Sequence, residues 1–149
     1  MADRATRSAT VHVPAETCLA VALDYERYPE WAKDIKAAEV LEQDEQGRAT
    51  QVEFTASALG RSAHYTLAYD YSGLPEKMSW SLVKGDIVDA IDGAYAFMPS
   101  TTVSGATDVQ YDLSIAVRVP MPGFVKRRAE VRILNTLNEL KERCESLPS

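Results

Sequence analysis

Two adjacent segments near the end of the chain constrain the fold more than any other feature. From Thr107 to Val119, apolar and polar side chains alternate with a period of two, which is typical of a strand with one buried face. Pro120 then breaks the strand, and residues 124–144 carry apolar side chains at spacings of three and four. A half-buried strand that leads into one long amphipathic helix predicts a layered fold, in which the helix covers the apolar face of a sheet.

The rest of the chain predicts further strands of the same sheet. Turn residues at short intervals separate runs with a period of two, as in a meander of antiparallel strands. Two short helical segments follow the first strand, at residues 15–25 and 29–33. The predicted strands cover residues 6–13, 35–43, 49–58, 61–71, 77–83 and 107–119, with two short segments at 87–91 and 94–98. The sequence therefore predicts an α+β fold, a curved antiparallel sheet of six or seven strands wrapped around a long C-terminal helix.

Length and composition indicate a single domain, residues 1–149, of ordinary globular character. Apolar residues make up 46% of the chain, which is enough for a core. The formal net charge of −6 disfavours nucleic-acid partners, because their phosphates carry charge of the same sign. Apolar runs are far shorter than the roughly 20 residues of a membrane-spanning helix, and the N-terminal residues lack the core of a signal peptide. We therefore expect a cytoplasmic protein with no integral membrane association.

The predicted architecture implies a cavity between the sheet and the long helix. A twisted sheet curves, whereas a helix is a straight rod, and the mismatch leaves apolar space that suits a hydrophobic ligand. The side chains expected to line this space and to contact the ligand are Trp31, Phe54, Tyr65, Tyr69, Met78, Trp80, Tyr95, Phe97, Tyr111, Ile133 and Leu137. Aromatic residues also anchor ordinary cores, so packing alone is the alternative interpretation for them.

Few polar residues suggest catalytic chemistry. Arg61 begins a strand on the inward side and is the candidate catalytic residue, since a guanidinium group can hold an enolate or anionic oxygen. In the alternative interpretation, it reaches solvent at a hairpin end. His64 falls on the outward face of the same strand, and the spacing of Asp86, Asp89 and Asp92 is typical of turns rather than of calcium ligands. We predict neither a metal site nor a cofactor.

Three segments resemble a known superfamily. They read VALDYERYPEWAKDI (residues 21–35), WSLVKGDIVDAIDGAYAF (80–97) and VPMPGFVKRRAE (119–130). Together they resemble the START-like (SRPBCC, Bet v 1-like) superfamily, in particular its polyketide cyclase/dehydrase and coenzyme Q-binding START branch. The resemblance covers nearly the whole chain and implies a helix-grip fold with a tunnel or cleft that opens near the loops. Because cyclase-like members place an arginine in the pocket, it also implies such a role for Arg61.

Three functions are compatible with this fold, since it carries many chemistries. We favour the binding or transport of a small hydrophobic ligand that is lipid-, quinone- or polyketide-like, because the sequence offers no convincing acid–base pair. The first alternative is a polyketide cyclase or dehydratase that acts through pocket shape and hydrogen-bond donors. The second alternative is a protein-interaction module, for which a filled interior is expected. The sequence leaves the identity of the ligand and the oligomeric state open.

Overall fold

A computed structural model describes residues 3–58, 61–117 and 123–147. Its strands are β1 (Asp3–Val11), β2 (Ile35–Gln43), β3 (Ala49–Ala58), β4 (Arg61–Asp70), β5 (Lys77–Gly85), β6 (Val88–Pro99) and β7 (Thr107–Val117). Its helices are α1 (Ala15–Leu23), a short 3-10 helix (Tyr25–Glu30) and the long α2 (Gly123–Ser146). No helix among the described residues is long and apolar enough to cross a membrane.

The strands form one antiparallel sheet in the order β1-β7-β6-β5-β4-β3-β2. Strands β2 to β7 form a meander in which each pairs with the next, and β1 adds to the sheet beside β7. Helix α2 packs against β1 and α1, and its side chains Leu137 and Leu140 are buried. This arrangement confirms the predicted α+β helix-grip fold.

The course of strand β6 differs from the one that the sequence predicts. The Asp92-Gly93 dipeptide is typical of a turn, yet β6 runs unbroken from Val88 to Pro99. Gly93 pairs with Trp80 on β5 and with Leu113 on β7. A Cβ atom at Gly93 would overlap the indole ring of Trp80. The glycine therefore permits close approach of a ring rather than a turn, and the predicted break between two short strands is wrong.

The second helix after β1 begins earlier than the sequence predicts. It is the 3-10 helix Tyr25–Glu30, and Pro29 lies inside it. The predicted helix from Pro29 to Lys33 is therefore wrong. Proline is tolerated here because the neighbouring hydrogen bonds come from the backbone N–H groups of Arg27 and Trp31, so the missing N–H of the proline is not needed.

Polar contacts fix the C-terminal end of α2 to the end of β1. Lys141 Nζ donates a hydrogen bond to the carbonyl oxygen of Thr10 at 2.6 Å. Glu145 Oε2 lies 2.8 Å from the backbone nitrogen of His12 and 2.7 Å from its Nδ1. The His12 backbone bond, together with those from its ring and from Lys141, lowers the pKa of Glu145 to about 2. The helix that closes the interior is thus anchored at this end.

Candidate ligand-binding cavity

A cavity of about 230 Å³ lies between the inner face of the sheet and α2. Inward-facing residues of β3 to β7 supply most of its wall, because alternation along each strand places these side chains on one face. Most of the lining is aliphatic or aromatic. Among the described residues that line it, the polar groups are tyrosine hydroxyls, the indole N–H of Trp80 and the side chains of Asp34, Ser57, Thr136 and Glu139. An apolar cavity with a few polar groups is typical of a site for a small organic molecule.

Six of the eleven predicted ligand contacts line this cavity. They are Phe54, Tyr65, Tyr69, Trp80, Tyr95 and Tyr111. All six lie on strands, at positions that the period-two pattern assigns to the inward face of the sheet. Contact between these side chains and a ligand stays a prediction.

Four other predicted contacts lie away from the cavity wall. Met78, Phe97 and Leu137 are at most 2% exposed and belong to the close-packed core. Phe97 lies toward the end of β6, which α1 approaches, so protein atoms fill the space beside it. Trp31 packs on the ring of Tyr28, with 4.9 Å between centroids, and borders a surface groove beside α1. The direction in which a side chain points therefore did not distinguish a cavity wall from a filled core.

The remaining predicted site residues are Arg61 and Ile133. The structure describes the backbone of both residues, but their side chains lie outside its described part. Arg61 begins β4 and Ile133 belongs to α2. His64 is exposed, with its Nδ1 3.2 Å from Thr55 Oγ1. The backbone N–H of His64 donates to Asp86, and this bond is the main cause of the lowered pKa of that carboxyl group. Asp86 therefore serves the chain turn between β5 and β6.

Four aromatic rings form one wall of the cavity. The ring centroid of Trp80 lies 5.3 Å from that of Tyr95, 5.9 Å from Tyr69 and 6.1 Å from Tyr111. Tyr95 and Tyr111 face each other across β6 and β7 and stack with 4.9 Å between centroids. Gly93 leaves the space that the indole ring occupies. Because each ring is confined by its neighbours, the wall is preorganised before a ligand binds.

The tyrosines of the interior fall into two classes according to the partners of their hydroxyl groups. The Tyr25 hydroxyl donates to Tyr71 at 2.8 Å, and the Tyr71 hydroxyl donates to the carbonyl oxygen of Ala49. In the second class, the hydroxyls make no hydrogen bond with any residue that the structure describes. No fully buried polar side-chain atom of the described residues lacks a partner, so these hydroxyls open onto the cavity. The second class comprises Tyr65, Tyr69, Tyr95 and Tyr111.

Burial controls the protonation of the second class. It is the largest cause of a raised pKa at Tyr65, Tyr69, Tyr95 and Tyr111. A phenol whose pKa lies above its ordinary value of about 10 stays protonated at neutral pH. The cavity therefore presents hydroxyl groups that can donate a hydrogen bond as well as accept one.

Removal of a hydroxyl group is expected to affect the two classes differently. Tyr71→Phe leaves the Tyr25 hydroxyl and the Ala49 carbonyl without this partner, so the free energy of unfolding should fall by about 1–3 kcal/mol. Tyr111→Phe removes a hydroxyl that no described residue binds, so the change should stay within about 0.5 kcal/mol. Urea unfolding of both variants measures the difference. Equal losses would contradict the assignment of Tyr111 to the cavity class.

The sequence analysis missed a polar edge of the cavity. Asp34, Thr136 and Glu139 all line it, and Glu139 Oε2 accepts a hydrogen bond from the backbone N–H of Lys33 at 3.2 Å. Burial raises the pKa of the Glu139 carboxyl group, and the bond from Lys33 offsets part of that increase. In the sequence, Glu139 directly precedes Leu140 and so borders the apolar stripe of α2, which is only a weak indication that it lines the cavity. Only the rotation of α2 about its own axis shows that it faces the cavity.

Comparison with known families supports this picture. A family model described as polyketide cyclase / dehydrase and lipid transport matches residues 11–140. The chain belongs to this family. The matched segment begins at the end of β1 and extends well into α2, so the whole cavity wall lies within it. The resemblance seen in the three sequence segments is thereby confirmed. No curated protein matches the chain.

Solved structures resemble this polyketide cyclase/dehydrase family member over almost its full length. A START superfamily protein from Mycobacterium smegmatis is 25% identical, with a TM-score of 0.80 over 95% of this chain and 94% of that chain. The Zhui aromatase/cyclase from Streptomyces sp. R1128 is 15% identical, with a TM-score of 0.79 over 97% and 94%. TTHA0849 from Thermus thermophilus is 19% identical, with a TM-score of 0.77 over 99% and 100%. Family and fold together support a role in hydrophobic-ligand binding or polyketide cyclisation.

Proposed function

We propose that this chain binds a small, mainly apolar ring compound in the cavity and orients it through tyrosine hydroxyl groups. The observation that carries the proposal is the set of four hydroxyls that open onto an apolar cavity without a partner among the described residues. Polar groups in such surroundings gain from a hydrogen bond to a ligand oxygen or nitrogen. The cavity volume of about 230 Å³ is below the roughly 300–1,000 Å³ of common ligand sites, which favours a small ligand.

A polyketide cyclase or dehydratase is the second candidate function. The family match supports it, and one specific observation favours it: hydroxyl donors and the Glu139 carboxyl group border the same cavity. A donor that stabilises an enolate and a carboxylate that accepts a proton are the groups such chemistry requires. This candidate adds a chemical step to the same binding event, so it also requires that the cavity binds a ligand. An open interior argues against the protein-interaction module.

Titration with an uncharged fluorescent ring compound, N-phenyl-1-naphthylamine, tests the proposal directly. Its fluorescence increases when it leaves water for an apolar site. We expect a saturable increase with one molecule bound per chain, and no such increase when the protein is unfolded in urea. A linear, unsaturable response to the folded protein would contradict a ligand-binding cavity.

A further inference from the structure

We propose that the cavity selects ligands without a negative charge, and that Glu139 on α2 is the residue that enforces this selection. The inference rests on the proposed binding function and specifies the chemical class of its ligand. A compound with a hydroxyl or amine group toward α2 is accepted, whereas the same ring skeleton with a carboxylate, phosphate or sulfonate is rejected.

Glu139 lies on the side of the cavity that α2 forms. Its side chain reaches the cavity from α2, and one carboxyl oxygen, Oε2, accepts the backbone N–H of Lys33. Within the part of the chain that the structure describes, the other oxygen makes no hydrogen bond. A carboxylate oxygen is an acceptor, so it suits a donor group of a ligand and opposes another anion.

Several charged groups lie near Glu139. Asp34 lines the same cavity, and its negative charge raises the pKa of Tyr65 after the larger effect of burial. Among the described residues, the positive charge of Lys33 lowers the pKa of Glu139, whereas the negative charges of Asp34 and Glu142 raise it. Among the described residues that line the cavity, the remaining side chains are apolar or carry a neutral hydroxyl group.

The hydroxyl groups of the cavity wall are further polar groups that are available to a ligand. Tyr95 and Tyr111 are 4% and 6% exposed, and their hydroxyls open onto the cavity without a partner among the described residues. Because these hydroxyl groups are accessible from the cavity, each can form a hydrogen bond with a bound ligand. Glu139 is only partly exposed at the edge of the cavity, so its charge is incompletely screened, and an anionic ligand group beside it is disfavoured although the rings suit its skeleton.

Two fluorescent probes with the same ring skeleton test the selection. N-phenyl-1-naphthylamine is uncharged, and 8-anilino-1-naphthalenesulfonate adds one sulfonate group. We expect the protein to bind the uncharged probe at least about tenfold more tightly than the anionic one. Glu139→Gln keeps the size of the side chain and removes its charge, so it should reduce this ratio by about tenfold, mainly by tightening the anionic probe.

Glu142→Gln is the matched control. Glu142 lies on the exposed side of the same helix, and its substitution changes the net charge of the protein by the same amount. The ratio of the two affinities should stay within about twofold of that of the unmodified protein, because an exposed charge is screened by water and salt. Circular dichroism verifies that each variant is folded. Glu139→Ala replaces Glu139→Gln if the latter does not give folded protein.

The outcomes separate the two proposals. Binding of both probes with equal affinity overturns the selection but leaves the cavity as a binding site. An equal change of the ratio in Glu139→Gln and Glu142→Gln also overturns it, because net charge alone would then explain the effect. Failure of the uncharged probe to bind the unmodified protein overturns the proposed function, and the selection with it.

Discussion

Ala63→Phe is expected to abolish binding of N-phenyl-1-naphthylamine while the domain stays folded. Ala63 is 2% exposed, lines the cavity and lies opposite Ala56 across β3 and β4. A phenyl ring at this position occupies space that the ligand needs, and a cavity of about 230 Å³ has little to spare. Overpacking costs about 1–3 kcal/mol in a filled core. Here the ring enters empty space, so the free energy of unfolding should fall by no more than that. Fluorescence titration and urea unfolding measure the two effects.

Ala68→Phe on the same strand is the matched control for Ala63→Phe. Ala68 belongs to the opposite parity of β4 and borders the outer face of the sheet, away from the cavity. The substitution adds the same ring to the same strand, so its binding curve should match that of the unmodified protein. If Ala63→Phe still binds the probe with unchanged affinity, the probe occupies another site and the proposed function is contradicted.

Strand parity explains why much of the cavity wall could be predicted from the sequence. The predicted bounds of β2 and β3, residues 35–43 and 49–58, agree with the structure because turn residues flank both runs. On β3 and β4 the alternation alone assigns Phe54, Tyr65 and Tyr69 to the inward face. A local pattern with a period of two is sufficient here, since a strand offers only two faces.

The position of a side chain along its strand and the rotation of α2 about its axis could not be predicted in the same way. Met78 and Phe97 share the inward face, but their positions along the strands place them in the filled core. Glu139 borders the apolar stripe of α2, and whether it meets the cavity depends on how the helix is rotated against the sheet. These features depend on contacts between distant segments, which spacing along one segment does not encode.

Gly93→Ala is expected to lower the free energy of unfolding by about 1–3 kcal/mol. The usual effect of replacing glycine by alanine within a strand has the opposite sign. Glycine inside a strand normally costs roughly 0.5–1 kcal/mol relative to alanine, so alanine should stabilise β6 if nothing lay beside it. At Gly93, however, a Cβ atom would overlap the Cε2, Cζ2 and Nε1 atoms of Trp80. The indole ring can yield only by moving against Tyr69, Tyr95 and Tyr111 or into the cavity that it lines. Urea unfolding measures the loss, with the same dependence of the unfolding free energy on urea concentration in both proteins.

A double-substitution cycle shows whether the indole ring is the cause. In a Trp80→Leu background the ring is absent, so Gly93→Ala should become neutral or stabilising. The effect of Gly93→Ala on ligand affinity should likewise depend on Trp80, because a displaced Trp80 ring intrudes on the cavity that it lines. N-phenyl-1-naphthylamine should therefore bind more weakly to Gly93→Ala alone. If the loss of stability is the same in both backgrounds, the close approach of Gly93 and Trp80 does not determine the shape of this wall.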